Sequence, residues 1–532
     1  MTDDTTTVRA GRREWTGLAV LALPTVLLAL DLTVLHLAVP GLSADLQPTG
    51  SQLLWIVDIY GFLIAGFLVT MGALGDRTGR RRLLLYGAAA FGAASVLAAF
   101  STSAGMLIAT RALLGIAGAT LMPATLSLIR TMFRDQAERR TAIAVWITSF
   151  MVGSAIGPVV GGVLLEHFWW GSVFLLGVPV MVLLLVAGPL LLPEYRAPDP
   201  QPLDPLSVLF SVAAMLSLVY GIKELARYGP GWEPGLFLGA GLVAGGAFLH
   251  RQRTVANPLI DLRLFVHRSF SAALVTVGLA IFAISGTMFF IGQYLQLVLG
   301  LSPLQAGLWL LPQAGAVIAG SMAAPFLVRR LRPAYVMAAG MTVASGGLLL
   351  ITRVDGVGGL GALVAGSVLL AAGFGPAMTL GTDLVVGTAP PERAGAASAI
   401  SETGVELGAA LGIAVIGSVG TAVYRREVAD GLPGVPAEVT AAASDTLGGA
   451  VVAAARLPEA VAAELLHGAR LAFAHGMQLT AGIGSVLVLA LAAFAGVLLR
   501  HIRHDGAEQS AEDAPVPDGE PVEAAGSVRG RG

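Results

Sequence analysis

Residues 72–82 read GALGDRTGRRR, and they lie between two long apolar runs in a chain that is apolar almost throughout. A glycine-rich, arginine-dense loop squeezed between two membrane spans is an unusual object. Its glycines let two helices turn back sharply, because they tolerate positive φ. Arg77, Arg80, Arg81 and Arg82 hold the loop on the cytoplasmic side. Asp76 supplies an acid that can pair with an arginine or cap a helix N-terminus.

The flanking runs are no exception within the chain. Of 532 residues, 55% are hydrophobic and 12% charged, and the mean hydropathy is +0.78. A soluble domain carries roughly 25% charged residues. At half that, the chain cannot cover itself with a wet surface, and lipid is its expected solvent. There is no cysteine, which excludes disulfides, thiol nucleophiles and thiolate metal sites. Lys223 is the single lysine. Residues 1–14 are polar, and the apolar run after them is too long for a signal-peptide core of about 7–15 residues. From about Asp505 to Gly532 large apolar residues are almost absent, which predicts disorder.

A span needs about 20 mostly apolar residues. Fourteen segments qualify: 15–40, 51–73, 83–101, 104–129, 141–165, 170–192, 205–225, 234–250, 269–298, 304–328, 333–352, 360–387, 394–423 and 474–500. Arginine placement tests the count. With the N-terminus inside, every connection after an even-numbered span should be basic. Arg130, Arg134, Arg139 and Arg140 follow span 4, Arg251 and Arg253 follow span 8, Arg329, Arg330 and Arg332 follow span 10, and Arg500 and Arg503 follow span 14. The opposite loops at 41–50, 101–104 and 299–303 carry none. This pattern predicts fourteen spans with both termini in the cytoplasm. One outer connection, 424–473, is long, and its alanine-rich stretches around Gly448, Gly449 and Pro458 predict two short helices over the outer mouth.

Charges within spans cost roughly 2.5–3.5 kcal/mol each, so each is a functional candidate. Span 1 holds Asp31 in LDLTVLHLAVP, span 2 holds Asp58 in WIVDIYGF, and span 4 holds Arg111 in ATRALLGIAGATLMPA. Span 13 holds Glu402 and Glu406 in SETGVELGAALG, and Asp383 lies near the inner end of span 12. Glu402 and Glu406 are four apart and share a helix face. Two close carboxylates in low dielectric do not both ionise cheaply, so one is expected to carry a proton. A metal site is the rival reading, but no histidine or third acid lies at ligand spacing, and none is expected. Arg111 is the only basic residue expected deep in the membrane, with Lys223 placed on the outer side; Asp31 is the nearest candidate partner for Arg111. Span 5 carries GSAIGPVVGG, where Gly153, Gly157 and Gly161 clear one helix face for a neighbour and Pro158 removes a backbone hydrogen bond. Trp55 and Tyr60 flank Asp58, while Trp146, Phe150 and Trp309 add aromatic faces suited to a lipophilic cation.

Together these segments resemble one branch of the major facilitator superfamily, the fourteen-helix drug:proton antiporters, or QacA-like multidrug exporters. GALGDRTGRRR resembles the superfamily loop between spans 2 and 3, in which Gly72, Asp76, Arg77, Gly79 and Arg80 serve gating. LDLTVLHLAVP resembles the branch's span 1 motif, ATRALLGIAGA the span 4 motif linked to proton transfer, and GSAIGPVVGG the exporter motif of span 5. NPLIDLRLFVHRSF (257–270) and ERAGAASAISETGVELG resemble its entry into span 9 and its span 13. Two departures stand out: VRRLRPAY, the second-half counterpart of the loop, lacks the Asp and Gly, and LLPQAGAVIAGSMAAP in span 10 carries no acid.

The resemblance implies an all-α membrane protein with fourteen transmembrane helices in two six-helix bundles plus two inserted helices. The expected organisation is a cytoplasmic tail 1–14, an N-terminal bundle 15–195, inserted helices 196–256 beside the bundles, a C-terminal bundle 257–503 containing the outer loop 424–473, and a cytoplasmic tail 504–532. The implied function is proton-coupled export of lipophilic, mostly cationic drugs across the cytoplasmic membrane, with export of one endogenous natural product or antibiotic as the alternative. Asp31, Arg111, Glu402 and Glu406 are the expected proton-coupling residues. Asp58, Trp55, Tyr60, Trp146, Phe150, Trp309 and Glu406 are the expected substrate contacts. Small molecules, protons and the lipid bilayer are the partners; no cofactor and no nucleic acid is implied, and the chain is expected to act as a monomer. A membrane enzyme finds no His-Glu-x-x-His or nucleophile motif in its support. A non-transporting sensor has no need of so many membrane carboxylates.

Overall fold

The computed structural model describes residues 9–196, 204–255, 258–260, 262–354, 358–387, 394–430, 439 and 443–499. The terminal segments 1–8 and 500–532, and with them the expected disordered tail and Arg500 and Arg503, lie outside the described residues, as do Asn257 and Asp261. Among the described residues the regular structure is helical throughout.

Among the described residues fourteen helical spans are long and apolar enough to cross a membrane, the sixth of them, Ser172–Leu191, being interrupted at Leu176. They are α1 (Arg12–Leu46), α2 (Gly50–Thr78), α3 (Arg80–Ala99), α4 (Ala104–Met132), α5 (Gln136–His167), α6 (Gly177–Leu191), α7 (Pro205–Tyr228), α8 (Trp232–Thr254), α9 (Arg268–Gln293), α10 (Pro303–Leu327), α11 (Pro333–Ile351), α12 (Leu360–Gly387), α13 (Ala394–Asp430) and α14 (Glu459–Leu498). Side-chain caps set several starts. The Thr49 hydroxyl accepts from the Gln52 N–H while the Gln52 side chain accepts from the Thr49 N–H, and Ser302 and Gln305 do the same for α10. The outer faces are apolar: Val186 is 64% exposed and Val486 72%. In water such faces would aggregate; in hydrocarbon they are solvated.

Helices α1–α6 form one bundle and α9–α14 the other, with principal packings α1–α5, α2–α4 and α3–α4 in the first, and α11–α12, α10–α12 and α9–α13 in the second. The bundles meet where α2 lies along α13 and α5 along α10. Helices α7 and α8 pair as a hairpin, and α7 also packs on both α2 and α13. The inserted pair was expected beside the bundles; α7 instead straddles their seam. A small apolar cluster of Phe62 from α2, Val219 from α7, and Ala410 and Ala414 from α13 holds it there.

Two boundaries differ from expectation. The segment 72–82 is not a loop. Helix α2 runs through Thr78 and α3 starts at Arg80, so Gly79 alone, at φ 107°, makes the turn. No L side chain adopts that φ cheaply, and an added Cβ would also strike Glu194. The last helix begins at Glu459 rather than near 474. Nothing between Pro458 and the apolar run breaks a helix, and alanine favours one, so the charged turn continues the span beyond the apolar zone. Of the expected hairpin in 424–473, the short helix Leu447–Ala454 and this extension are described, while 431–438 lie outside the described residues.

Candidate functional site: charges at the bundle seam

Arg111 sits on α4 and is 1% exposed. Its Nη1 donates to Asp31 Oδ2 at 2.6 Å, its Nε donates to the Ile56 carbonyl at 3.2 Å, and its guanidinium lies 4.4 Å from the Tyr60 ring centroid. Phe174 closes the other side at 5.9 Å. A guanidinium so buried needs this degree of satisfaction. The Gly115 position one turn along α4 makes the approach possible: a Cβ there would lie 2.6 Å from the Tyr60 carbonyl oxygen. Asp31 also lines a small cavity with Ser95, Phe91 and Phe174. The first bundle thus contains a charge pair with room beside its carboxylate.

Glu406 approaches from the second bundle. It is 6% exposed, and a Cβ built on Gly61 would lie 3.7 Å from its Oε2. Gly61 follows Tyr60 in sequence, so the Arg111–Asp31 pair and Glu406 meet the same turn of α2 on two different faces, about 100° apart. Glu402 is half-buried on α13. Asp383 is exposed near the end of α12.

The glycines of 153–162 on α5 lie against α1. Gly153 faces the Val26 backbone, Gly157 faces Thr33, and a Cβ on Gly161 would lie 2.6 Å from Val34 Cγ1, so at these positions α5 puts no side chain of its own between itself and α1. The same helix touches the other bundle through Gly162, where a Cβ would meet Leu304 Cα at 2.8 Å, and through Pro158, whose carbonyl abuts Gly307. Helix α5 therefore packs closely on both α1 and α10.

At the turn between α2 and α3, Asp76 pairs with Arg80, and Arg81 donates to the Leu192 carbonyl at 2.9 Å. Glu194 accepts from the Arg81 N–H at 3.2 Å. Arg77 is exposed, and Gly72 faces Pro123. The motif thus clasps the chain segment after α6, within its own bundle.

The expected aromatic contacts do not gather around one site. Tyr60 is buried beneath Arg111. Trp146 donates to the Thr125 hydroxyl at 3.2 Å, and Phe150 packs half-buried against the core. Trp309 is 43% exposed. Trp55 is engaged elsewhere. Lys223, expected on the outer side, is 2% exposed inside the α2–α7 contact, with its Nζ 2.8 Å from Asp58 Oδ2 and 3.8 Å from the Trp55 ring centroid. Arg111 is therefore not the only buried base. The miss has a physical cause: Lys223 lies near a helix end, where hydropathy cannot distinguish a solvated ammonium from one that pairs inward. Its KEL context in an otherwise apolar run was the available signal.

Hydrogen bonds that cross between the bundles lie toward the end bearing the Leu447–Ala454 helix. Gln296 donates to the Leu37 carbonyl at 3.0 Å, and the Leu304 N–H to Glu166 at 3.4 Å. A Cβ on Gly50 would lie 2.8 Å from the Asp445 carbonyl, and one on Gly448 2.7 Å from Ser43 Cβ. Among the described residues no group of three His, Asp or Glu side chains could hold a metal.

A chain of buried charges on facing helices of two bundles, wrapped in apolar faces, is the architecture of a transporter, and the comparisons agree. The Major Facilitator Superfamily model matches residues 21–413. The chain is 46% identical over 494 residues to the multidrug efflux pump LfrA of Mycolicibacterium smegmatis, covering 93% of this chain and 98% of that one. It is 37% identical to the methyl viologen resistance protein SmvA of Salmonella typhimurium, covering 90% and 97%. In fold it is similar to a bacterial homolog of the human lysosomal transporter Spinster, with a TM-score of 0.66 at 18% identity, covering 92% and 98%. The chain belongs to the Major Facilitator Superfamily, as a multi-pass membrane transporter of small molecules rather than an enzyme.

Proposed function

We propose that this transporter exports lipophilic, mostly cationic compounds across the cytoplasmic membrane in exchange for protons, with both termini in the cytoplasm. The observation that carries the reading is the placement of Arg111–Asp31 and Glu406 on two faces of one turn of α2 at the bundle seam. Each bundle brings a carboxylate to the path that a cargo between them must take. The names of the two relatives, a multidrug efflux pump and a resistance protein for methyl viologen (an organic cation), support cationic cargo.

Residues 15–195 and 257–503 act as two rocking bodies, with α5 packed on α10 where they meet. Contacts at the Leu447–Ala454 end close that mouth, and cargo enters from the arginine-rich end. Glu406, with Glu402 one turn away, binds either a proton or a cation. That exclusion is a coupling free energy between the two ligands. Protonation of Asp31 removes the charge that holds Arg111, so the guanidinium must find new acceptors; this is the switch within the first bundle. Substrate contacts come from Glu406 and from the aromatic rings of Phe150, Trp146 and Trp309 as the bundles part.

Ethidium uptake into inverted membrane vesicles tests this. Uptake should require an imposed proton gradient, collapse with a protonophore, and persist without ATP while the gradient lasts. Uptake that follows ATP and ignores the gradient removes the antiport model.

A further inference from the structure

The turn between α10 and α11, residues 328–332, reads VRRLR and stands in the second half where GALGDRTGRRR stands in the first. The two turns treat their arginines differently. In the first, Asp76 pairs with Arg80, and Arg81 is taken up by Glu194 and the Leu192 carbonyl. In the second the acid is missing from the sequence. Arg329 and Arg330 are exposed, and among the described residues no carboxylate pairs with either. The first turn of α11 holds no acid.

The Arg329 guanidinium lies 5.2 Å from the Phe326 ring centroid. A ring face fills none of the guanidinium N–H donors, so they stay open to an oxygen ligand. The backbone beneath is fixed, because the Arg330 and Leu331 N–H groups both donate to the Leu327 carbonyl, at 3.1 and 3.0 Å. Next to the charges the surface is apolar. Phe326 and Met322, one helical turn apart, are 63% and 66% exposed. They stand on the side of α10 away from α12, which Gly320 meets: a Cβ there would lie 2.6 Å from the Ala372 carbonyl oxygen. Leu331 in the turn and Tyr335 on the first turn of α11 are exposed as well.

Two guanidinium groups without a counter-charge, at the end of an exposed apolar strip, match a phosphate carried on hydrocarbon chains. Guanidinium takes phosphate oxygens in bidentate fashion, and a basic cluster at the end of a span attracts anionic headgroups. A soluble phosphate would use the charges and leave the strip bare.

We infer that the α10–α11 turn is a binding site for an anionic phospholipid, with Arg329 and Arg330 on the headgroup phosphate and Phe326 and Met322 against an acyl chain. The lipid supplies here the counter-charge that Asp76 and Glu194 supply at the first turn. Bound lipid ties this end of the second bundle to the leaflet, whereas the first turn is tied to its own chain. The site stands however export is energised.

Native mass spectrometry of delipidated full-length protein tests this, with dioleoylphosphatidylglycerol as the probe. Arg329→Gln/Arg330→Gln should weaken the tightest binding step roughly tenfold. Arg134→Gln/Arg253→Gln removes the same charge from other exposed arginines, and should change that step less than about twofold, since separated charges are screened. Phe326→Ala should weaken it about threefold with no loss of charge. Dioleoylphosphatidylcholine should bind the parent roughly tenfold more weakly, and glycerol phosphate should not displace the bound lipid. Equal losses in the two double variants would reduce the effect to diffuse surface charge and overturn the site. Displacement by glycerol phosphate would overturn it too, by making it an ion site, as would equal affinity for phosphatidylcholine. These side chains are exposed, so every variant should keep the parent's Tm. If the arginine double variant does not fold, Phe326→Ala decides: undiminished lipid binding in it overturns the site. Failure of ethidium uptake in vesicles would defeat the export reading and leave this result intact.

Discussion

Glu406 of the second bundle rests against Gly61 of the first, with 3.7 Å between its Oε2 and the position a Cβ would take. The gap admits a methyl group and little more. Gly61→Ala should fold and transport within about twofold of the parent. Gly61→Leu should cut efflux at least tenfold, because its branches must occupy the space of the carboxylate. Glu406→Gln keeps the shape and removes the charge, so in purified protein it should weaken cationic cargo more than neutral cargo and flatten the loss of cation affinity on acidification. Equal loss for both cargo types, with the pH dependence intact, would make Glu406 a packing residue.

The Asp31–Arg111 pair predicts an asymmetry between its two partners. Asp31→Asn should leave a folded protein that does not transport, since the amide still accepts from Arg111 while the switchable charge is gone. Arg111→Ala strands a buried carboxylate and should lose about 3–5 kcal/mol, read as a fall in Tm and in yield. Normal efflux from both variants would mean the pair has no part in coupling.

Side chains introduced on the glycine face of α5 should separate α1 from α5. Gly161→Val places its branches on Val34, and Gly157→Val places them on Thr33. Overpacking of this kind costs about 1–3 kcal/mol. Thermal unfolding of both variants should shift down, and efflux should fall further than that destabilisation alone accounts for. Gly105→Ala, whose Cβ would meet nothing within 4 Å, is the matched control and should change neither.

The α7–α8 hairpin is pinned outside the spans by Asp204, which accepts from Arg251 at 2.8–3.1 Å and caps α7 at Ser207. The Arg251 hydrogen bonds, with help from Ser207, pull the Asp204 carboxyl down from 3.8 to about 2. Its folded-state value is below its unfolded one, so its contribution is present above the unfolded value and lost as pH falls through about 2. Asp204→Asn should therefore lower Tm by a constant amount from pH 8 to 5, with a gap that narrows only under stronger acid. A gap that closes between pH 7 and 5 would assign the effect to another group.

The absence of cysteine makes labelling clean. Ala455, exposed beside the short helix, and Arg77, exposed at the α2–α3 turn, mark opposite ends of the bundles. In intact cells an impermeant thiol reagent should label Ala455→Cys and spare Arg77→Cys. The reverse pattern inverts the proposed orientation.

Much of this architecture was legible in the chain. Span number follows from apolar run length, because hydrocarbon thickness sets a minimum length of helix. Asp31 and Arg111 stood out because a charge in a span must find a partner, and the glycines of 153–162 showed that some helix must come close. Periodicity could not say which helix: α1 on one side and α10 on the other are choices of the packed bundles. The 72–82 segment misled for a related reason. Glycine and arginine density marks a turn, but a single residue at positive φ suffices to make one.

The sequence by itself determined solvent, span count and the charges that stand in mid-span, since these depend on transfer free energies that each residue carries wherever it lies. Only the tertiary structure decided which charges face which. Lys223 reads as a helix-end base until α7 is laid across the α2–α13 seam, and Asp58 and Trp55 read as open to cargo until that lysine fills them. Pairing energy depends on separation and on the medium between charges, and neither is a property of one chain position.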